Sequence, residues 1–179
     1  MTVDSRIASH EAGHASGLIV QGHLPKLVRA DNPKLDYYWS GEVEPDYDQR
    51  ALDPEMADDL VIATLLGPLA EHGRRWWKAI PPWPPRWEEL SDLLNEEPSD
   101  SDGAQVAALV EYAQRDRTQY SAFCGIAIHW LDDSGFKSIH SLIANALVAV
   151  PRITGDQLRE LIGPKRVERY LTNDEEVAA

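Results

Sequence analysis

The chain has 179 residues and a mass of 20.0 kDa, enough for one domain that buries about two-thirds of its unfolded surface. Seventeen Lys and Arg against thirty Asp and Glu leave a net charge of −13, which excludes nonspecific binding to nucleic acid or to anionic membrane, because phosphates are repelled. One cysteine, Cys124, excludes an intrachain disulfide and fits a reducing, cytoplasmic compartment.

Hydrophobic residues at 43% and charged residues at 26% place the sequence among soluble, folded chains and not among disordered ones. No basic-then-apolar leader opens it. The stretches Leu60–Ala70 and Leu142–Val150 are shorter than the roughly 20 residues a bilayer span needs. Neither GxxxxGK[ST] nor GxGxxG occurs, so no nucleotide-driven motor is expected within these residues.

In chain order, Val3 to Gln21 reads as a helix. Asp4 or Ser5 can cap it, apolar residues recur at helical spacing from Ile7 to Ile19, and Gly22 stops it. Lys26–Ala30 and Tyr37–Val43 read as strands of a small sheet or hairpin, with Asp31-Asn32-Pro33 as the turn. Asp53-Pro54-Glu55 starts a second helix, which Gly67-Pro68 is expected to kink or restart and which fades near Trp77. Residues 78–101 are a Pro/Trp-rich and acidic insert, with a short helix near Glu88–Leu94 and with Trp83 and Trp87 packed back onto the domain. Helical patterning resumes at Asp102 with Val106, Leu109, Val110 and Ala113, then Phe123 to Trp130. Gly135 separates these from Phe136–Val150, and a last helix runs from Thr154 to Ile162. The fold class is mainly α with a small β-sheet or hairpin, all of 1–179 forming one domain.

His10-Glu11-Ala12-Gly13-His14 fits H-E-x-x-H within the first helix. Residues i and i+4 lie about 40° apart on a helix, so both imidazoles project from one face and can share an ion. Glu11 is rotated by about 100° from His10, poorly placed as a ligand but able to reach a water on the ion. Two neutral nitrogen donors and an open position suit catalytic zinc (Zn2+), which lowers the pKa of its water to about 7. Ala12 and Gly13 are small enough to let another element approach. The longer pattern HExxHxxGxxH fails: Gly17 is in place, but position 20 is Val20. His23, nine residues past His14, lies about 180° around the helix and is not expected to be a ligand.

HEAGHA opening a helix resembles the FtsH peptidases, the membrane-bound ATP-dependent zinc proteases. Two further segments follow in the same order. IATLLGPLAEHGRR, from Ile62, resembles that family's Leu-Gly-Gly-Arg-Ala-Ala-Glu helix, with Pro68-Leu69 in place of its Gly-Arg. SDSDGAQVAALVEYAQR, from Ser99, resembles its Gly-Ala-x-x-Asp stretch and the Ala-rich helix after it. LVAVPRITGDQLRELI resembles its closing helices. The resemblance implies a zinc peptidase domain in which a downstream Asp is the third ligand. Gly-Ala follows Asp102 here instead of preceding it, which leaves the ligand open between Asp100 and Asp102. Helical phase favours Asp102, which shares a face with Val106, Leu109, Val110 and Ala113. Glu71 is a further candidate, either as third ligand or as an acid orienting a histidine.

The expected function is therefore an ATP-independent zinc metallopeptidase: His10, His14 and Asp102 as metal ligands, Glu11 as general base, and peptide or unfolded protein as substrate by resemblance. A strand over residues 35–43 is expected to pair with substrate backbone. The alternative is a catalytically silent peptidase-like fold that binds a basic partner through acidic stretches 42–48 and 88–102. His72 is expected on a helix surface, His129 and His140 as satisfied core or boundary histidines, and Cys124 in the core.

Overall fold

Helix α1 (Ser5–Val20) begins where the sequence offers a cap: Asp4 is extended, and its Oδ1 accepts the Arg6 amide at 2.7 Å. It ends at Gln21. Gly22 then turns the chain at φ +88°, and the Gly22 and His23 amides bond back to the Ile19 and Leu18 carbonyls. This is a computed structural model, and it describes residues 3–31, 42–46, 52–72 and 102–172. Among these residues the fold is mainly helical, with seven helices and one small antiparallel sheet.

Strand β1 (Pro25–Arg29) pairs with β2 (Glu42–Pro45), with Val28 opposite Val43 and an Arg29–Glu42 ion pair across the ladder. The second strand was expected over Tyr37–Val43; it extends to Pro45, and residues 37–41 lie outside the described part. A third strand, β3 (Arg152–Thr154), pairs with the other side of β1 and sets Ile153 opposite Val28. No strand was expected there, because three residues carry too little alternation to read. Val28 and Ile153 are both buried, so the sheet's inner face joins the core.

Helix α2 (Pro54–His72) starts with Asp53 accepting the Met56 amide at 2.8 Å. Of the kink or restart expected at Gly67-Pro68, the restart does not occur: α2 remains one helix through Pro68 to His72. An interior proline costs about 3 kcal/mol. Leu65, Leu66 and Leu69 are each at most 2% exposed, and each buried leucine contributes about 1.5–3 kcal/mol, so packing holds the turn.

Helices α3 (Asp102–Tyr112) and α4 (Arg117–Asp132) are divided at Gln114, which has φ +54°, and by a capping box between Asp116 and Gln119. Helix α5 (Ser134–Ala149) follows at once. The expected divider, Gly135, lies inside its first turn; Asp133 instead ends α4 and caps α5 through the Phe136 amide. Helix α6 (Gly155–Ile162) is capped by Thr154 and is not the last. After Gly163 comes α7 (Pro164–Leu171), with proline at its start. The insert at 78–101, including Glu88–Leu94, Trp83, Trp87 and Asp100, lies outside the described residues.

Helix α1 is the centre of the packing, with α2 on one side and α5 on another, while α2 also carries α3 and α4. Small residues set the α1–α2 distance. A Cβ on Gly13 would lie 2.9 Å from Gly67 Cα and closer still to the Leu66 carbonyl; one on Gly17 would lie 2.9 Å from Ala63 Cα. One on Gly67 would run into the His14 ring. No helix among the described residues is long and apolar enough to cross a membrane.

Candidate metal centre

His10 and His14 project from α1 toward the start of α3, one helical turn apart and edge to face, with ring centroids 4.7 Å apart. Their Nε2 atoms are 3.0 Å from each other. Asp102, the first residue of α3, places Oδ2 3.1 Å from His10 Nε2 and Oδ1 3.3 Å from His14 Nε2. The tertiary step is the packing of α3 on α2, which brings the start of α3 over the histidines across 88 residues of chain.

The other nitrogens of the two rings are engaged elsewhere. His10 Nδ1 lies 3.0 Å from Glu71 Oε2, and the far oxygen of that carboxylate takes Arg6 Nη2 at 2.6 Å. His14 Nδ1 lies 3.1 Å from the Ala63 carbonyl of α2. A carbonyl only accepts, so His14 Nδ1 carries the proton. A carboxylate paired with arginine also accepts, so His10 Nδ1 donates to it. Both Nε2 lone pairs then face the two oxygens of Asp102. Four acceptors converge with no donor among them, an arrangement that needs a cation or bound protons at its centre. Ligands held tetrahedrally at zinc distances lie about 3.3–3.5 Å from one another. The observed 3.0, 3.1 and 3.3 Å separations are close to that, so the donor set fits zinc.

The electrostatics agree. Burial disfavours the His10 imidazolium, but its hydrogen bonds to the Asp102 and Glu71 carboxylates, and the negative charge of Asp102 and Glu11, outweigh it and raise its pKa to about 10. His14 is shifted up in the same way: burial opposes the charge, and the Asp102 carboxylate prevails. Burial pushes the Asp102 carboxyl up, yet His14 charge and the bonds from both histidines hold it well below the usual carboxylate range. The field that draws protons here also draws a metal cation. Glu11 is buried beside the histidines at 5% exposure. Burial raises its pKa, the two histidines pull it down, and Asp102 and Glu42 push it up again, with a net upward shift.

The structure thus brings three of the four expected site residues together as donors and sets the fourth, Glu11, beside them. Of the other candidates for third ligand, Glu71 occupies the opposite nitrogen of His10 and so stands as an orienting acid, and Asp100 lies outside the described residues. His23 bonds Asp59 at 3.0 Å instead of joining the cluster. His140 is a bonded boundary histidine, and Cys124 is core. His129, also expected as core or boundary, is exposed on the outer face of α4, with its ring beside Trp130. Two contributors had no signal in the sequence: the Ala63 carbonyl, because a backbone group has no side-chain signature, and Arg6, whose partner is 65 residues away.

No protein-family model matches the chain, and no curated protein matches it. The functional reading therefore stands on the residues of the site.

Proposed function

We propose that this chain is an ATP-independent zinc metallopeptidase, with the ion held by His10, His14 and Asp102 and with Glu11 as general base. The observation that carries the reading is the convergence of the two histidine Nε2 acceptors on the Asp102 carboxylate, with both Nδ1 donors already committed to Glu71 and Ala63. The resemblance of HEAGH and its downstream segments to the FtsH peptidases points the same way.

Bound there, zinc supplies Lewis acidity and brings the pKa of a coordinated water to about 7. The chain's own residues do the rest. Glu71 and the Ala63 carbonyl fix both rings so that Nε2 faces inward. Glu11 lacks a hydrogen bond to any described residue and sits one position past His10, so its carboxylate is available to take the proton of the attacking water. As the water oxygen bonds to the peptide carbonyl carbon and the C–N bond breaks, Glu11 returns that proton to the departing amine. Strand β2 is an edge of the sheet among the described residues, and the charge of Glu42 at its start is felt at Glu11. An extended peptide added to that edge would run beside the site.

The test is zinc content together with hydrolysis of a fluorogenic, unstructured peptide pool, with and without chelator. Glu11→Gln is expected to keep zinc and lose hydrolysis, whereas His10→Ala and His14→Ala lose both. Zinc without hydrolysis in the wild-type chain would leave the binding-module alternative; full hydrolysis by Glu11→Gln would place the chemistry elsewhere.

A further inference from the structure

Behind the metal face, α1, α2 and α5 meet in a polar node. Ser9 Oγ is 3.2 Å from the Ala70 carbonyl and 3.3 Å from His140 Nε2, and that same Nε2 is 3.0 Å from the Ser9 carbonyl. The proton roles are forced. The Ser9 carbonyl accepts only, so His140 Nε2 carries a proton and donates to it. Ser9 Oγ then gives its own proton to the Ala70 carbonyl. The His140 ring is held from behind by stacking on Phe136, with centroids 6.1 Å apart and planes 11° from parallel; Phe136 is itself buried. Burial lowers the His140 pKa, with the Ser9 carbonyl bond opposing, which matches a neutral ring in this role.

The surroundings make the node unusual. Ala8, Ala12, Ile139 and Ile143 around it are fully buried, and an apolar side chain at 140 would satisfy such a core without desolvating an imidazole. Apolar contacts tolerate sliding and rotation of one helix on another; hydrogen bonds fix both. The position matters as well. Ser9 immediately precedes His10, and Ala70 immediately precedes Glu71, so the Ser9–Ala70 bond sets the register in which Glu71 reaches His10 Nδ1 at 3.0 Å. A displacement of about 1 Å would break that bond, because a contact at about 3.6 Å is no longer a hydrogen bond.

We propose that Ser9 and His140 are positioning residues for the metal centre, locking α1 to α2 so that Glu71 can orient His10. This rests on the zinc reading above. The experiment measures zinc affinity of the full chain by chelator competition, and the visible spectrum of the Co2+-loaded protein, for wild type, His140→Phe, His140→Gln, Ser9→Ala and the Ser9/His140 double variant. His140→Phe keeps the ring stack and removes the donor; His140→Gln restores a donor nitrogen.

Loss of an orienting partner costs about 10- to 100-fold in metal affinity. His140→Phe and Ser9→Ala are accordingly expected to weaken zinc by about tenfold and to alter the cobalt spectrum. The double variant should be no worse than about the worse single one, because the two act as a unit, and His140→Gln should stay close to wild type. Folded His140→Phe and Ser9→Ala proteins with wild-type affinity and spectrum would overturn the proposal; should His140→Phe not fold, Ser9→Ala decides alone. A wild-type protein that takes up neither zinc nor cobalt overturns the zinc reading itself, and that failure is visible in the wild type and not in the variants.

Discussion

Asp102 and Glu71 both touch His10, one at each ring nitrogen, and this division makes a sharp mutational test. Asp102→Ala removes the carboxylate that faces the two Nε2 atoms, 3.1 and 3.3 Å away. Glu71→Gln keeps an oxygen near Nδ1 and removes only charge, at a position where the ring is oriented and not replaced as donor. An orienting partner is worth about 10- to 100-fold in metal affinity, so Glu71→Gln should cost about tenfold. Deleting one of three protein donors must cost more, at least about 100-fold, or about 2.8 kcal/mol at 1.4 kcal/mol per decade. The assay is competition against a chromophoric chelator at fixed pH and salt, with circular dichroism to verify the fold of each variant. The decisive quantity is the order of the two effects. A larger loss in Glu71→Gln than in Asp102→Ala would make Glu71 the ligand and refute the assignment, and unchanged affinity in Asp102→Ala would remove Asp102 from the centre altogether.

Gly67→Ala should destabilise the protein by about 1–3 kcal/mol, as overpacking does, because its Cβ would enter the His14 ring; a lowered urea midpoint together with weakened zinc binding checks it. Asp116→Ala removes a capping box at the start of α4 and should cost about 1 kcal/mol with no change in zinc affinity, read from the same two measurements. The His140 pKa is lowered by burial, so the stability from its neutral form is fully present above the unfolded value of 6.5 and is lost as pH falls through the folded value. Urea midpoints of wild type and His140→Gln should therefore diverge as the solution is acidified below 6.5, with wild type losing more. Parallel profiles would sink that linkage.

What the sequence made legible follows the range of the interactions involved. The α1 helix, its Asp4 cap and its Gly22 stop are local, and so were readable from residues 3–22 alone. Asp102 was favoured over Asp100 by helical phase, and on α3 Val106 is fully buried while Leu109 and Val110 pack partly buried against the core. Strand β3 was not legible because its three residues acquire strand geometry only by pairing with β1 from 125 residues away, as in Ile153 opposite Val28. Pro68 acts in the other direction. Local propensity argues for a kink or restart; the helix does not restart, because the burial of Leu65, Leu66 and Leu69 holds the turn. Helix α7 was overlooked although Gly163-Pro164 carries a start signal; its apolar face is little more than Val167, Tyr170 and Leu171, too sparse for a period to stand out.

The glycines and the histidines of α1 and α2 are parts of one device. Gly13 and Gly17 let α2 come close enough for the Ala63 carbonyl to reach His14 Nδ1, and Gly67 leaves room for the His14 ring at that approach. With any larger side chain at Gly13 or Gly67 the helices must separate, and both Nδ1 contacts, to Ala63 and to Glu71, lengthen together. The orientation of both donors is thus set by groups that do not themselves face the centre: backbone of α2, an acid steadied by Arg6, and the Ser9–His140 node behind them. Asp102 arrives by a different route, through α3 packing on α2. Helix α2 is therefore the common reference for all three donors, holding the two histidines through hydrogen bonds and the aspartate through apolar packing. A substitution on α2 that points nowhere near the centre can then disturb it, whereas one on the outer face of α4 cannot.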